Sequence, residues 1–382
     1  MSRTITVIIQ IGLMQLLLVI YSYAQANIEH PQEKYIPYLD KIEERVISLL
    51  PKNNSGQSII KSKIHNAKQI YQIGQKEGPS YQIIGRITSI VTDQENNIYL
   101  LDSRKNTVLV YNSIGKYLYQ FGRGGRGPGE FQSPIDMAID EEGNIYVADR
   151  FYLIHKFENQ NGRYTHKIDI QIHVIPDEFC IMKKRIYVRG LKAERNEGQS
   201  YNTIHAYQLS DGEHLFSFGE SYQTENIMVK KQLSDGKIAC DSSSETVMST
   251  FDMMPYIFGY TGLGNIKWIS KIEPFQTRPV IEKFGATGPS ITFESTEYPT
   301  NDIEKIHATT DGNIIVQVSH SPRGRNIDIK DLKIISLFID SDTGIKLDNL
   351  KLNSPLLFFG KERFYVNGFL NYQYPTVLAY EL

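Results

Sequence analysis

Arginine and tyrosine side chains are the groups in this chain whose chemistry best suits ligand binding. Arg presents a planar fork of donors to carboxylates and phosphates, and Tyr offers a flat ring with a hydroxyl group. Most of these residues fall in long connections between predicted strands, and two lie in a glycine-rich stretch. The candidate ligand-binding residues are Arg123, Arg126, Arg189, Tyr201, Arg278, His320, Arg323, Arg325 and Tyr372. Acidic residues share these connections, so a mixed, solvated surface is the favoured alternative.

A repeat of about 47–49 residues, the length of a four-stranded propeller blade, organises the elements that must position these side chains. It is clearest between residues 71–102 and 119–149, which share a Gly-Pro loop, an apolar strand, an acidic turn and a terminal Ile-Tyr-x-x-Asp. Short alternating stretches rich in β-branched and aromatic residues continue to the C terminus. The repeat therefore predicts strands a to d in each blade.

The strand count predicts a closed ring. Six b strands and six c strands can be counted, with Ile238-Ala239 taken as the fourth b strand, but only five d strands follow a c strand. The missing d strand lies at the other end of the chain, as Gln69 to Ile73. We predict an all-β, six-bladed β-propeller of four-stranded antiparallel blades, closed by the N-terminal strand joining the last, C-terminal blade.

The glycine-rich stretch and the strands after it resemble an NHL repeat. Residues 121–131, Pro134 and the run 143–149 supply the glycine loop, proline, Gly-Asn-Ile-Tyr-Val and aspartate in order. The resemblance is strong over residues 70–158, extends to bacterial exported six-bladed β-propellers, and continues over 177–382 only as strand rhythm. It implies a binding scaffold, since the catalytic pattern of enzyme relatives such as the amidating lyase is not found here.

The same resemblance implies that the glycine loop shapes the crossing between blades. Its successive N–H groups could instead form an anion-binding nest, but no Gly-Lys-Ser/Thr follows and no helix begins there. The structural role is favoured.

Two aspartates, Asp102 and Asp149, end equivalent repeats and could ligate Ca²⁺. Such an aspartate more often accepts hydrogen bonds from nearby backbone N–H groups and fixes a loop. We expect this scaffolding role and no cofactor, with Ca²⁺ as the alternative.

Catalytic signatures are absent from the sequence. Neither GxSxG nor HExxH occurs, and the nine histidines show no His/Asp cluster at metal-ligand spacing. Propeller sites assemble from several blades, so His173, His205, His307 and His320 could still meet in space. The catalytic residues stay unassigned.

Connections d–a and b–c emerge on one face of a propeller, and the long ones fall mainly there. They are residues 189–201, 240–255, 274–302, 319–332 and 367–376. Insertions on one side usually mark the binding side of a repeat protein, with tolerated surface drift as an equal alternative. A pocket is expected off-centre, toward the last four blades.

Residues 1–26 predict a signal peptide, because Arg3 precedes an apolar run and small residues follow at Ala24 and Ala26. An uncleaved membrane anchor is the alternative. Residues 27–66 then form an N-terminal extension, and residues 67–382 form the propeller.

Within the extension, a short amphipathic helix is predicted. Leu39, Ile42, Val46 and Leu49/Leu50 recur at helical spacing, and Pro51 ends the pattern.

Charge and cysteine content narrow the partners. The formal net charge of −2 gives no field that attracts nucleic acid, and membrane contact is expected only through an uncleaved leader. An exported protein could pair Cys180 with Cys240, but buried thiols are the favoured interpretation.

The favoured function is an exported, periplasmic or extracellular scaffold. It would bind a protein or a small anionic or carbohydrate ligand through its long-loop face. The alternative is a propeller enzyme, a lyase or hydrolase, with a divalent metal at the channel mouth. A purely structural module is a third possibility.

Overall fold

The computed structural model describes residues 28–29, 46–48, 59–191, 202–285, 288–293, 299–309, 311–321, 333–352 and 354–382. Ahead of the ring lie β1 (Ile28–Glu29), β2 (Val46–Ser48) and helix α1 (Ile59–Asn66), followed by β3 (Lys68–Ile73). No helix among the described residues is both long enough and apolar enough to cross a membrane.

Six antiparallel sheets form the blades, and each begins with its innermost strand. Blade 1 contains β4 (Ile87–Thr92), β5 (Ile98–Asp102), β6 (Thr107–Tyr111) and β7 (Tyr117–Phe121). Blade 2 contains β8 (Pro134–Ile139), β9 (Ile145–Asp149), β10 (Leu153–Gln160) and β11 (Arg163–Gln171). Blade 3 contains β12 (Glu178–Met182), β13 (Arg185–Arg189), β14 (Asn202–Gln208) and β15 (His214–Glu220).

Helix α2 (Ile227–Ser234) crosses to blade 4, which contains β16 (Ile238–Asp241), β17 (Thr246–Thr250), β18 (Tyr256–Thr261) and β19 (Ile266–Lys271). A hairpin of β20 (Val280–Gly285) and β21 (Gly288–Phe293) leads to blade 5. That blade contains β22 (Thr300–Ala308), β23 (Asn313–Ser321), β24 (Lys333–Asp340) and β25 (Lys346–Leu352). Blade 6 contains β26 (Leu356–Phe359), β27 (Arg363–Asn367) and, after helix α3 (Phe369–Tyr372), β28 (Val377–Glu381).

The N-terminal strand closes the ring as predicted. β3 pairs antiparallel with β28, with Ile73 opposite Val377 and Tyr71 opposite Ala379. This pairing supplies the outer strand that blade 6 lacks and covers an edge that would otherwise stay open. The fold is therefore an all-β six-bladed propeller of four-stranded blades.

Hydrophobic packing between neighbouring blades holds the ring together. Among the described residues, the buried apolar side chains form six clusters, and each cluster lies between two adjacent blades. Strands such as β6, whose five residues are all buried, are covered on both faces and are therefore largely apolar. The turns from c to d need a left-handed residue, and glycine supplies it at every predicted position: Gly115, Gly162, Gly212, Gly264 and Gly344.

One strand prediction and part of one helix prediction are wrong. Ile238-Ala239 belongs to β16, the innermost strand of blade 4, and the b strand of that blade is β17. Residues 240–255 are therefore no long loop, because they contain a tight a–b turn and β17. In the extension, Val46–Ser48 forms a strand rather than a helix and pairs in parallel with β19, whose outer edge is available for pairing. Leu39, Ile42, Leu49 and Leu50 lie outside the described residues.

The expectation of free thiols is also wrong. Cys180 of β12 and Cys240 of β16 form a disulfide, with their Cα atoms 5.6 Å apart. The pairing follows from the topology, because the innermost strands of blades 3 and 4 lie side by side. The disulfide thus links two neighbouring blades next to the axis.

Candidate functional site

The innermost strands of the six blades surround an axial channel, and cavities open at its two ends. We call the end formed by the d–a and b–c connections the upper mouth, and the opposite end the lower mouth. The upper mouth is a cavity of about 860 Å³ lined by residues from all six blades. It lies on the face predicted to bind, but on the axis rather than off-centre.

Charged side chains dominate the upper mouth. Of the residues that the structure describes, five cations and three carboxylates line it: Arg86, Arg104, Arg150, Lys237, Lys305, Asp177, Glu178 and Glu304. The three arginines come from blades 1 and 2, whereas the carboxylates come from blades 3 and 5. The charge at the mouth is therefore unevenly distributed, and its positive side lies on blades 1 and 2.

The repeated aspartates position these arginines. In blade 1 the buried carboxylate of Asp102 accepts hydrogen bonds from the backbone N–H groups of Gly85 (2.7 Å), Arg86 (3.0 Å) and Arg104 (3.2 Å). Charge-assisted bonds of this kind fix loop geometry strongly. Asp102 thereby holds two arginine backbones at the mouth.

Blade 2 repeats the arrangement around Arg150. The carboxylate of Asp149 accepts from Gln132 N (2.7 Å), Ser133 N (3.0 Å) and Phe151 N (3.1 Å). The scaffolding role predicted for Asp102 and Asp149 is confirmed, since their oxygens face backbone donors. Ca²⁺ binding at these residues stays an untested alternative.

The side chains of Arg86, Arg104 and Arg150 are exposed. Within the described residues, their guanidinium groups make no ion pair and no hydrogen bond. All three residues line the upper mouth, and their guanidinium donors are not used by the described part of the protein.

An ion pair forms the floor of the upper mouth. Lys305 Nζ lies 2.7 Å from Glu178 Oε1, and Glu178 Oε2 accepts a hydrogen bond from the backbone N–H of Ile238 at 3.3 Å. Burial opposes ionisation of Glu178, yet the charges of Lys305 and Lys237 hold its pKa below the usual value. The pair is therefore ionised, and Glu178 is neutralised from within the protein.

Two further carboxyl groups, those of Asp136 and Asp177, have raised pKa values. Burial raises the pKa of Asp136, whose Oδ2 accepts a hydrogen bond from the Phe179 N–H at 3.2 Å. Partial withdrawal from water, together with the charge of Asp235, raises the pKa of Asp177 to about 7. Near neutral pH the mouth is thus less acidic than its composition suggests.

Arg189 was predicted on the exposed rim, and this placement is wrong. Its side chain is 1% exposed, and its guanidinium donates to Ser249 Oγ (2.7 Å) and to the Ser234 carbonyl oxygen (2.6 Å). Gly236 is needed beside it, because a Cβ there would lie 2.4 Å from Arg189 Nη2. Arg189 ties blade 3 to blade 4.

The structure does not gather the other predicted residues into the upper mouth. Arg123 is exposed and pairs with Glu130 at 2.6 Å, and Arg126 is exposed on the same glycine loop. Tyr201, Arg323 and Arg325 lie outside the described residues. Ligand binding by any of these residues stays a prediction.

The remaining candidates make contacts within the upper face. Arg278 Nη2 lies 3.5 Å from Thr300 Oγ1 and 3.8 Å from Asp302 Oδ2. His320 Nδ1 lies 3.3 Å from the side-chain nitrogen Nδ2 of Asn301, and the Tyr372 ring lies 5.8 Å from the Tyr374 ring. Their binding roles also stay untested.

The lower mouth is a larger cavity of about 1160 Å³, formed largely by a–b turns, and sequence reasoning missed it. The aspartates that begin its acidic turns accept hydrogen bonds from groups in or next to the same turn. Asp93 accepts from Glu95 N, from Asn97 N and Nδ2, and from the Tyr99 hydroxyl group, each at 2.9 Å. Asp140 makes the matching set in blade 2. These carboxylates shape turns, so the upper mouth is the stronger candidate site.

Sequence reasoning also missed the upper-mouth arginines and a histidine cluster. Arg104 and Arg150 follow the repeated aspartates by two residues and one residue, a signal available in the sequence. The expectation of no His/Asp cluster is wrong, because His155, His166 and Asp169 meet in blade 2. That trio is the only group of three or more potential metal ligands among the described residues, and it lies away from both mouths.

The ring and its charged axial channel define a six-bladed β-propeller. In agreement, residues 79–239 match a family model described as a 6-bladed beta-propeller. The solved structure of a DUF4221 family member from Bacteroides vulgatus ATCC 8482 superposes with a TM-score of 0.54 and 9% identity, covering 82% of this chain and 97% of that one.

A Bacteroides fragilis NCTC 9343 protein, named as a predicted exported protein, is also similar. It gives a TM-score of 0.52 and 11% identity, over 88% of this chain and 98% of that one. At such identities the likeness concerns the fold alone.

Proposed function

We propose that this protein is an exported binding propeller that holds a small anionic ligand, bearing carboxylate or phosphate groups, at its upper mouth. The observation that carries the proposal is the set of three exposed arginines, Arg86, Arg104 and Arg150. They line one side of the cavity without an ion-pair partner among the described residues. Guanidinium forks bind carboxylates and phosphates through paired charge-assisted hydrogen bonds.

Preorganisation supports this role. Asp102 and Asp149 fix the backbone around the arginines through hydrogen bonds of 2.7–3.2 Å. A ligand therefore orders only the arginine side chains, and the entropic cost of binding is reduced. The same aspartates are buried and committed, so they do not compete for the guanidinium groups.

The charge balance at the mouth also favours an anion. Glu178 is neutralised by Lys305, and desolvation together with the charge of Asp235 raises the pKa of Asp177 to about 7. Excess positive charge in a concave site raises the local concentration of anions and their association rate. The volume of about 860 Å³ lies within the usual range for small-molecule sites.

Export and an NHL-like ancestry are parts of the same proposal. The leader-like residues 1–26 and the Cys180–Cys240 disulfide favour an oxidising compartment, the periplasm or the extracellular space. The name of the Bacteroides fragilis neighbour points the same way. The motif over residues 121–149 supports kinship with NHL repeats.

Isothermal titration calorimetry with phosphate, citrate and glucuronate tests the binding site. We expect at least one of these anions to bind the purified protein at a one-to-one ratio. Arg104→Ala and Arg150→Ala should each weaken binding about 10- to 100-fold, because each removes charge-assisted hydrogen bonds.

Arg126→Ala is the matched control, since Arg126 is an exposed arginine on the glycine loop, outside the residues that line the upper mouth. It should bind like the unmodified protein. Equal losses of anion affinity in all three variants would indicate that binding is not specific to the upper mouth and would overturn the proposal. A lack of binding by every anion would overturn it as well.

A further inference from the structure

A cluster of two histidines and one aspartate lies on the outer half of blade 2, separate from both mouths. His155 Nδ1 and His166 Nε2 each lie 2.6 Å from the same oxygen, Oδ1 of Asp169. The three potential ligand atoms all fall within 4.8 Å of one another. They are therefore close enough to share one bound ion.

A register shift between β10 and β11 brings the three side chains to one face. His155 stands directly opposite Asp169, whereas His166 stands opposite Phe157. His166 and Asp169 are three residues apart, so a regular strand would point them to opposite faces of the sheet. The extra residue of the bulge on β11 reverses this alternation. Bulges of this kind often re-aim a side chain at a site.

The glycine-rich loop covers the cluster. Gly129 has φ +70°, and a Cβ there would approach the Cβ of His166 to 2.7 Å, so no larger residue fits. The Phe131 ring lies 5.3 Å from the His155 ring and the Phe157 ring 5.8 Å from the His166 ring. Phe131 of the loop and Phe157 of β10 thus form an apolar wall beside the two histidines.

Burial differs across the cluster in a way that leaves it accessible. The His155 side chain is 2% exposed, while those of His166 and Asp169 are 21% and 28% exposed. The buried Nε2 atom of His155 has no hydrogen-bond partner, so every polar contact of this ring lies inside the cluster. The site has a fixed inner ligand and an open outer side.

We propose that His155, His166 and Asp169 bind a divalent transition-metal cation of the Zn²⁺ class. Two imidazole nitrogens and one carboxylate oxygen suit Zn²⁺ and its neighbours, whereas Ca²⁺ and Mg²⁺ prefer oxygen ligands throughout. Water completes the coordination on the exposed side. This site is independent of the ligand proposed for the upper mouth.

Binding exchanges two hydrogen bonds for coordination bonds. Tetrahedral Zn²⁺ with ligand bonds of about 2.0–2.1 Å requires each nitrogen-to-oxygen separation to open from 2.6 Å to roughly 3.3 Å. The partly exposed His166 and Asp169 can make this adjustment. In a neutral imidazole the proton of the ligating nitrogen moves to the other ring nitrogen, from Nδ1 to Nε2 in His155 and from Nε2 to Nδ1 in His166. An imidazolium instead releases the proton of its ligating nitrogen to solvent, so neither route needs an oxidant or reductant.

Calorimetry with Zn²⁺ on tag-free, full-length protein tests the site, and the visible spectrum of bound Co²⁺ reports its geometry. We expect one equivalent to bind, with an increase in melting temperature. His166→Gln and Asp169→Asn should each weaken binding about 100-fold or more, because each removes a ligand. His173→Gln, which removes an exposed imidazole outside the cluster, is the matched control and should bind normally.

Circular dichroism separates loss of a ligand from loss of the fold, and His166→Gln changes only a partly exposed side chain. Failure of the unmodified protein to bind Zn²⁺ or Co²⁺ would overturn the proposal. Stoichiometric binding that survives both His166→Gln and Asp169→Asn would overturn it too.

Discussion

The end of strand b shows how differently the first two blades and the third blade are built. In blades 1 and 2 this position holds Asp102 and Asp149, which accept hydrogen bonds from backbone N–H groups at most 17 residues away. In blade 3 it holds Arg189, which reaches Ser234 and Ser249, 45 and 60 residues away on the path into blade 4 and in blade 4 itself. The same place in the fold is local scaffolding in one region and a tie between blades in the other.

Other hydrogen bonds between blades also join residues that are far apart in sequence, as those of Arg189 do. Trp268 Nε1 donates to the Ser341 carbonyl oxygen at 3.0 Å, and the Ser341 hydroxyl donates to Asp241 Oδ2 at 2.6 Å, joining blades 4 and 5. Local scaffolding can recur identically in each blade, whereas a tie depends on its particular neighbour. The repeat is therefore visible in the sequence only where the polar contacts are local.

The longest-range tie, ring closure by β3, should have the largest effect. Deleting residues 68–73 leaves the edge of β28 unpaired and removes Ile73 from the core between blades 6 and 1. We expect a loss on the order of 5 kcal/mol, comparable with the stability of a small domain. Urea denaturation measures it, and Gln69→Ala/Gln72→Ala, which keeps the strand, is the control. An unchanged unfolding midpoint would show that closure is dispensable.

Replacing Arg189 by Met should be the most damaging single substitution in the inter-blade group. It leaves the Ser234 carbonyl oxygen and Ser249 without their donor and removes the positive charge near Asp177 and Asp235. Breaking a buried charge network in this way typically costs about 3–5 kcal/mol. Arg189→Lys should lose less, because the charge remains. Equal midpoints for all three proteins would contradict a structural role.

The Cys180–Cys240 disulfide spans 60 residues and links blades 3 and 4. Replacing both cysteines by Ser should cost about 2–4 kcal/mol, since the unfolded chain gains freedom. Each single substitution should cost nearly as much as the double one, because either breaks the same bond. Free-thiol titration checks the bond itself, and additive losses would argue against pairing.

His307 of blade 5 donates a hydrogen bond to the Leu356 carbonyl oxygen of blade 6 and is buried. Burial, reinforced by Lys305, lowers its pKa from 6.5 to about 3. Its stabilising contribution is therefore complete above pH 6.5 and is lost as the pH falls toward 3, because only the unfolded state takes up the proton.

At about pH 5 this loss amounts to about 2 kcal/mol relative to neutral pH. His307→Gln keeps a donor but does not titrate, so its stability should fall less on acidification. Denaturation curves at both pH values measure the difference. Parallel losses in the two proteins would indicate that His307 titrates normally.

The smallest effects should come from the local scaffold. Asp149→Asn places an amide where two oxygens now accept backbone N–H groups, and we expect a cost of about 1–2 kcal/mol. Adding a calcium chelator to the unmodified protein distinguishes scaffolding from metal binding. A chelator-induced drop as large as that of the substitution would favour the Ca²⁺ alternative.

The fold was predictable because its signals are local. The Ile-Tyr-x-x-Asp strands and the c–d turn glycines each appear within a short window of sequence, and counting the strands that they define reveals the complementary strands at the two ends. The fourth b strand was misassigned because Ile238-Ala239 has the composition of any buried strand, and periodicity cannot say which position in a blade it fills.

The candidate site was predictable only in part. Asp102 and Asp149 were recognised as scaffold, but the neighbouring arginines were overlooked in favour of long loops. Arg189 was placed on a rim because its burial depends on Gly236 and Ser249, which are far away in sequence. The cluster of His155, His166 and Asp169 depends on a β-bulge that cannot be predicted from the residue types of β10 and β11.

Because β3 pairs with β28, the first part of the ring to be synthesised is also the last to find its place. During synthesis, the first five blades can therefore assemble before β28 is available, and β3 stays unpaired until then. A prematurely terminated chain cannot close the ring, and its exposed strand edge remains available for pairing with other chains.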